Sequence, residues 1–438
     1  MTTDQGSPLS NEHAQAVGRA SVNRVRATKV KAVPSPAVTA PMEFDPTHRS
    51  FQINPYPVLA AFRKDAPVYM SSLYNGWFLF RYADVLRICD DKTTISAGGS
   101  DNPAPHGLFQ LDEDPVKDKQ DEKTHTEVLK LIFDAWMPAA ATTDALVEKS
   151  IKAALGALSG KAEFDLVDEF ARPVPREVYF DILGGKGIPP DQRLELDGLA
   201  RTVMKFHDHL LSDEQAKPGM EAGSKLGMAL MALLVKSATD ASFEGSFLHR
   251  LAPALLSGAL NKVAAAKTLV SLTVAGYMSV EFLLATGIRR LLLDKAYWWS
   301  EVKAGRADLT DYVLEMHRYE HALAVIDRFA ASDIEIGGVK IAAGSRVFGV
   351  LASANRDDSV FANGETFQPG RKNGSAHLGL GHGVHQCMGR FLDAATTQPA
   401  IAELMKEMPN LSLASDAEPP WFTNFYFRSF DHLVVKRS

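Results

Sequence analysis

Hydrophobic residues recur at helical spacing through most of the chain, which predicts a protein dominated by helices. The predicted helices are 55–62, 82–89, 124–137, 141–158, 164–183, 190–211, 221–237, 244–254, 261–294 and 308–323. Short runs of aromatic and β-branched residues at 67–70, 76–80 and 346–351 predict strands. Residues 333–341 alternate around a Gly-Gly turn, which predicts a β-hairpin. The predicted fold class is therefore mainly α with small β-sheets.

Composition narrows the class of protein. Residues 1–42 are rich in Ala, Pro, Thr, Ser, Lys and Arg, which predicts a flexible tail before the globular pattern. A net charge of −6 over 438 residues gives no reason to expect nucleic-acid binding. The sequence shows no secretory signal and no apolar run long enough to span a bilayer, so we expect no membrane anchor. Two cysteines cannot form a disulfide framework, which favours a reducing location.

The segment GLGHGVHQCMG, residues 379–389, carries the strongest chemical signal in the chain. Its glycines let backbone N–H groups approach the Cys387 sulfur closely, and the helical pattern that follows adds further donors and a positive dipole end. An isolated free cysteine is most often a small buried hydrophobic residue. Here the glycine spacing and the following helix favour a metal-ligating thiolate instead.

This segment resembles the haem-binding loop of the cytochrome P450 family, in which the cysteine is the axial thiolate of the haem iron. The resemblance implies that Cys387 binds the metal and that Gly389 belongs to the cofactor site. The family usually has Phe seven residues before the cysteine, where this chain has Leu380. That difference predicts a looser or wetter ligand environment and does not remove the ligand.

A second motif, Glu315-Met316-His317-Arg318, lies on a predicted helix. A carboxylate and a guanidinium at i, i+3 share a helix face, and by themselves they are common as surface ion pairs. The motif gains weight from its order in the chain, because the Gly-Gly hairpin, the Ala354–Asp357 segment and the cysteine loop follow it as in the same family. The resemblance implies that Glu315 and Arg318 are buried and structural, paired with each other and with the chain near Arg371.

The resemblance also implies the architecture and the cofactor. The expected fold is the cytochrome P450 fold, a triangular helical prism, as a single haem-thiolate domain over residues 43–438. Haem b is expected between the central helix and the helix that follows Cys387. Its two propionates need cationic or hydrogen-bonding partners, and the positions matching the family's partners are His125, Arg328 and His385.

The central predicted helix departs from the family where protons are delivered. Aligning Ala275-Gly276 with the family's pair of small residues places Met278 at the usual acid and Ser279 at the usual alcohol. Glu281 lies two residues further on and faces another side of a helix. The interpretations left open are a relay of Ser279 with Glu281 or water, a peroxide-driven reaction, and a Met278 that only shapes a hydrophobic pocket.

Walls of a substrate pocket are predicted by position. They are Val274, Ala275, Ser279, Ala324, Ile326, Phe425 and Tyr426. Because these side chains are mostly apolar or aromatic, we expect a small hydrophobic substrate, with aromatic and terpenoid compounds among the candidates.

The predicted activity is that of a cytoplasmic monooxygenase that uses O2. Electrons are expected from a separate ferredoxin and reductase, with an acidic ferredoxin docking near Lys130, Lys372 and Arg390. One alternative is a peroxide-driven peroxygenase or a non-hydroxylating haem-thiolate enzyme, for which Met278 is the motive. A remote alternative is a haem-dependent sensor without turnover.

Overall fold

The computed structural model of the chain describes residues 44–46, 48–89, 94–96, 122–207, 211, 213–383, 386–423 and 426–437. The predicted tail, residues 1–42, lies outside the described residues. The helices are α1 Arg49–Ile53, α2 Tyr56–Asp65, α3 Tyr82–Cys89, α4 Glu122–Ala139, α5 Thr143–Ala157, α6 Pro173–Gly184, α7 Pro190–Lys205, α8 Asp213–Ser237, α9 Phe247–Leu256, α10 Lys262–Ala275, α11 Met278–Lys303, α12 Leu309–Tyr319, α13 Leu351–Ala354 and α14 Arg390–Glu407.

Short strands form four small sheets in the described part of the chain. The strands are β1 Val68–Ser71, β2 Gly76–Leu79, β3 Thr94–Ser96, β4 Glu163–Asp165, β5 Val325–Ala330, β6 Ile334–Ile336, β7 Val339–Ile341, β8 Arg346–Val350, β9 Leu411–Leu413, β10 Trp421–Thr423, β11 Arg428–Phe430 and β12 Val434–Arg437. A five-stranded sheet has the order β1-β2-β8-β5-β3, and within it only β2 and β8 are parallel. β4-β12-β9 form a three-stranded sheet, and β6–β7 and β10–β11 pair as two-stranded sheets.

The largest apolar cluster lies among the helices, and two smaller clusters lie at the five-stranded sheet. The segment Lys262–Leu293, which contains α10 and the larger part of α11, crosses the helical cluster. It is long and apolar enough to cross a membrane by length and composition alone, but 67% of its most apolar window is buried inside the fold. Such burial is typical of the core helix of a globular protein.

The central helix, predicted as one helix over 261–294, is interrupted next to Ala275-Gly276. α10 ends at Ala275, and α11 starts at Met278 after a turn at Gly276 and Tyr277. A Cβ on Gly276 would lie 2.3 Å from the Leu272 carbonyl oxygen and 2.7 Å from the Tyr179 ring on α6. Glycine is therefore required here by close packing, and the interruption leaves part of the helix face open.

The predicted helix over 164–183 is wrong in its first half. Residues 163–165 form β4, which pairs with β12, and one π-helical turn, Val167–Ala171, follows. The Asp165 carboxylate accepts the Val167 N–H at 2.9 Å, which favours a turn directly after the strand. Regular α-helix begins only at Pro173, because proline is suited to the first helical position.

The segment between the predicted helices 82–89 and 124–137, a long polar loop in the sequence, contains one short strand. Thr94–Ser96 form β3, which pairs antiparallel with β5 and brings Ser96 opposite Arg328. The rest of that loop lies outside the described residues. This pairing places Ser96 beside β5, the strand that carries Arg328, a predicted propionate partner.

Candidate active site

Close packing determines the backbone path of the cysteine loop. Gly381 and Gly383 both have φ near +70°, a conformation that favours glycine. A Cβ on Gly383 would lie 2.9 Å from the carbonyl oxygen of Cys89 at the end of α3. The Cys387 N–H donates to the Leu380 carbonyl oxygen at 2.9 Å, which closes the loop. Two of the predicted glycines thus have a specific backbone role.

The Cys387 side chain is partly buried beside the start of α14. Burial is the main cause that raises the pKa of its thiol above the usual value, and the negative charge of Asp393 also raises it. The nearby backbone N–H groups of Gly389 and Arg390 oppose that shift. The sulfur therefore lies beside the N–H groups of a helix start and still requires a cation beside it to be ionised at neutral pH.

Arg328 on β5 presents an unsatisfied donor. Its Nη1 donates to the Asp327 carbonyl oxygen at 2.7 Å, whereas its Nε is buried and has no hydrogen-bond partner among the described residues. A buried guanidinium donor without an acceptor is costly, so an anionic group such as a haem propionate fits this position. Of the other predicted propionate partners, His385 and the side chain of His125 lie outside the described residues.

One face of the interrupted central helix is open. Ala275 is exposed and Ser279, one turn later, is partly exposed, although most of their neighbours are buried. The Ser279 hydroxyl donates to the Ala275 carbonyl oxygen at 3.2 Å. Val274 has no exposed surface and packs in the helical core. Successive helical residues point about 100° apart, so Val274 and Ala275 face different sides.

Glu281 lies on another side of the same helix, where it is 1% exposed. Its Oε1 accepts from Arg172 Nε at 3.2 Å and from Arg201 Nη1 at 3.1 Å, and its Oε2 also pairs with Arg201. Asp197 extends the network by accepting from Arg201 and from the Tyr277 hydroxyl. This engagement of both oxygens favours a structural role for Glu281 over direct proton transfer to the Ser279 side.

A pocket of about 190 Å³ adjoins this ion-pair network, and its lining includes Arg172, Arg201, Met278 and Glu281. Met278, which occupies the predicted acid position, is fully buried. The sequence analysis missed Arg172 and Arg201, because they lie about 80 to 110 positions from Glu281 and no local pattern links them to it. Met278 and Glu281 thus border this pocket and belong to a different face from Ser279.

The remaining predicted pocket walls lie near the junction of β5 with the C-terminal strands. Ala324 donates its N–H to the Tyr426 carbonyl oxygen at 2.7 Å. Ala324 and Ile326 are partly exposed, and each packs against one of the smaller apolar clusters. Tyr426 is 4% exposed, with its ring 5.0 Å from that of His207, so its side chain is mainly a packing element. Phe425 lies outside the described residues.

Glu315 and Arg318 form a fully buried pair on α12. Arg318 Nη2 lies 2.6 Å from Glu315 Oε1, and Arg371 Nε lies 3.1 Å from the same oxygen. Arg318 also donates to the carbonyl oxygens of Asn355, Gly364 and Thr366. The structure therefore brings these residues together with the segment that leads to the cysteine loop.

Comparison with known proteins shows which proteins this chain is similar to. A family model described as Cytochrome P450 matches residues 309–407. The biotin biosynthesis cytochrome P450 of Bacillus subtilis is 26% identical over 395 residues, covering 88% of this chain and 96% of the relative. Erythromycin C-12 hydroxylase of Saccharopolyspora erythraea is 26% identical over 390 residues, covering 86% of this chain and 91% of the relative.

Solved structures give the same result for the fold. The crystal structure of P450BioI in complex with an acyl carrier protein ligated to hexadec-9Z-enoic acid matches with a TM-score of 0.77 and 25% identity, covering 89% of this chain and 100% of that chain. Epothilone D-bound P450epoK matches with a TM-score of 0.77 and 22% identity, covering 91% of this chain and 99% of that chain. The predicted fold is thereby confirmed.

Proposed function

We infer that this chain belongs to the cytochrome P450 superfamily and is a haem-thiolate monooxygenase. From this premise, we propose that it oxidises a small hydrophobic substrate with O2, using electrons from a separate ferredoxin and reductase. We also propose that residues 43–438 form a single catalytic domain and that the protein is cytoplasmic. The observation that carries the proposal is the partly buried Cys387 sulfur beside the start of α14, in a loop whose glycines 381 and 383 adopt a positive φ.

The residues present fit haem b. The Cys387 thiolate would hold the iron, and the unsatisfied Arg328 Nε would donate to a propionate. His125 and His385 are proposed as further propionate partners, and Gly389 as a backbone donor to the sulfur. When bound, the haem supplies the oxidising chemistry, and thiolate ligation favours O–O cleavage. The protein supplies binding, orientation and control of water.

A small hydrophobic substrate is supported by the side chains around the open helix face. Ala275, Ala324 and Ile326 offer apolar surface, and Ser279 offers a hydroxyl. Relatives named erythromycin C-12 hydroxylase and 6-deoxyerythronolide B hydroxylase support hydroxylation of an organic substrate. An optical titration of the ferric protein with candidate compounds would identify the ligand class, because displacement of a distal water shifts the haem absorption.

Proton delivery is proposed to use the Ser279 hydroxyl. Ser279 occupies the position where the family has its alcohol. Its hydroxyl lies on the open face of the interrupted central helix. Its present acceptor is the Ala275 carbonyl oxygen at 3.2 Å, a long bond that is easily exchanged for water. Glu281 is proposed to contribute by holding the helix through Arg172 and Arg201, with the adjacent pocket giving solvent access to that network.

Replacing Ser279 by Ala is expected to lower product formed per electron with O2 by about 100-fold, the lower end of the range for a positioned proton donor. The same variant driven by hydrogen peroxide should keep its wild-type yield, because peroxide brings its own protons. Ser279→Thr retains a hydroxyl and should restore coupling. Product yield is measured by chromatography in both regimes.

The peroxide arm also tests the alternative of a peroxide-driven enzyme, which the buried Met278 at the acid position motivates. That alternative requires wild-type turnover with peroxide alone to equal or exceed turnover with reduced ferredoxin. If Ser279→Ala lowered product yield equally with O2 and with hydrogen peroxide, a role of Ser279 in proton delivery would be contradicted. Equal losses would indicate damage to the pocket.

The proposed ferredoxin site is tested by charge reversal at Lys130 and Lys372, both of which are exposed. Lys130→Glu with Lys372→Glu is expected to slow reduction about tenfold or more at low salt, because an acidic partner then meets repulsion. Arg390 is left in place, since its charge also acts on the Cys387 sulfur. Stopped-flow reduction is the measurement, with exposed Lys152→Glu on α5 as the control. Unchanged reduction would eliminate this docking site.

A further inference from the structure

A cluster of buried polar side chains lies behind the cysteine loop and takes no part in the proposed chemistry so far. His317 on α12 and Asp393 on α14 are 8% and 6% exposed, and His317 Nε2 lies 2.8 Å from Asp393 Oδ2. Thr397 donates to the other Asp393 oxygen at 2.9 Å. The His317 ring also stacks on His377, with centroids 5.1 Å apart and planes 6° apart.

Each member of the cluster contacts an element that shapes the cysteine loop. His377 Nδ1 accepts the Gly379 N–H at 3.2 Å at the start of the loop, and a Cβ on Gly379 would lie 2.5 Å from the His317 carbonyl oxygen. The Asp393 N–H donates to the Gly389 carbonyl oxygen at 2.9 Å in the first turn of α14. The cluster therefore connects α12 to both ends of the loop that holds Cys387.

Stability alone does not explain a buried acid at this place. Replacing a buried ion pair by well-packed apolar residues is often neutral or stabilising, because both charges lose their hydration. Burial raises the pKa of Asp393, but His317 and Thr397 lower it by more, so its carboxyl is kept ionised. Burial and the His317 charge lower the pKa of His377 to about 3, so this second imidazole stays neutral.

The Asp393 charge lies close to the cysteine loop. Asp393 stands in the first turn of α14, six residues after Cys387, and its backbone N–H bonds to the Gly389 carbonyl oxygen. A fixed negative charge near the ligand disfavours addition of an electron to the metal site. The protein can thereby tune a ligated metal through groups that do not touch it.

We propose that His317 and Asp393 are positioning residues that tune the haem of this enzyme: the Asp393 carboxylate, held in place by His317, lowers the reduction potential of the thiolate-ligated iron. The inference rests on the proposed ligation of haem by Cys387. It assigns to the pair a role in electron uptake that a purely structural contact would not have.

The test is the midpoint potential of the haem-loaded protein, measured by spectroelectrochemistry. Asp393→Asn keeps the side-chain shape and removes the charge, so the ferric–ferrous equilibrium should shift toward ferrous by about tenfold, equivalent to about 59 mV for one electron. The double variant His317→Leu with Asp393→Leu replaces the pair by packed apolar residues and should shift the potential in the same direction if the single variant does not fold.

Two controls separate charge from general disturbance. Thr397→Val disturbs the same cluster but keeps the carboxylate charge, so it should not raise the potential. Asp181 lies on α6, where its carboxylate pairs with Arg193 of α7. Asp181→Asn removes that charge and should leave the potential unchanged. A wild-type potential in both Asp393 variants, or an equal rise in Thr397→Val, would overturn the proposal. Failure of haem–thiolate ligation itself would show separately, as a wild-type protein without the thiolate carbon monoxide band.

Discussion

Replacing Cys387 by Ser is expected to lower monooxygenase turnover more than about 100-fold. Loss of a residue that only hydrogen-bonds to a metal ligand typically costs up to about 100-fold, and loss of the ligand itself should cost more. Serine has nearly the shape of cysteine but cannot supply a thiolate at neutral pH, so the electron donation that favours O–O cleavage is lost. The reduced variant should also lose the red-shifted carbon monoxide band that distinguishes thiolate-ligated haem. Product analysis and the reduced spectrum are the two measurements.

Cys89→Ser is the matched control for this change, because Cys89 is the other cysteine of the chain and is 1% exposed in the core. The control should keep both the band and turnover, with at most a modest loss of stability. Turnover that survives in Cys387→Ser and disappears in Cys89→Ser would reverse the assignment of the ligand.

Glu315→Ala is expected to destabilise the folded protein by about 3–5 kcal/mol, because it leaves the buried Arg318 and Arg371 without their shared carboxylate. That loss is a large part of the stability of a typical domain, so little haem-loaded protein should accumulate. Thermal unfolding and the ratio of haem absorbance to protein absorbance measure the effect.

Glu148→Ala provides the comparison, since Glu148 forms an exposed i, i+4 pair with Lys152. Exposed pairs of this kind contribute little to stability because water screens both charges, so this control should unfold close to the wild-type temperature. Equal destabilisation by the two substitutions would contradict a special role for the buried pair.

The site elements that the sequence predicted best are those whose chemistry is local. The glycines of the cysteine loop could be recognised because Gly381 and Gly383 need a positive φ. The interruption of the central helix could be recognised because small residues at Ala275 and Gly276 permit close packing against Tyr179. Each of these signals lies within a few residues of the feature that it predicts.

The features that the sequence did not predict depend on contacts between distant segments. Asp393 resembles an ordinary acidic residue in the first turn of a helix, and only the fold brings it to His317. Glu281 gains Arg172 and Arg201 in the same way. Val274 and Ala275 are both small and apolar, so composition alone could not show which of them faces the open side.

Element ends were predicted less well for a similar reason. The central helix was expected to end at residue 294, but α11 continues to Lys303 and stops only before Gly305, which has φ of +70°. No glycine or proline stands between those two positions, so tertiary packing decides how far the helix runs.

The most direct test of the account is the carbon monoxide difference spectrum of the purified, reduced wild-type protein loaded with haem. Ligation by Cys387 predicts the red-shifted Soret band that a haem with an axial thiolate gives, and predicts its loss in Cys387→Ser. A wild-type band at the position typical of haem proteins with a nitrogen ligand, unchanged by that substitution, would contradict the assignment of Cys387 as the iron ligand.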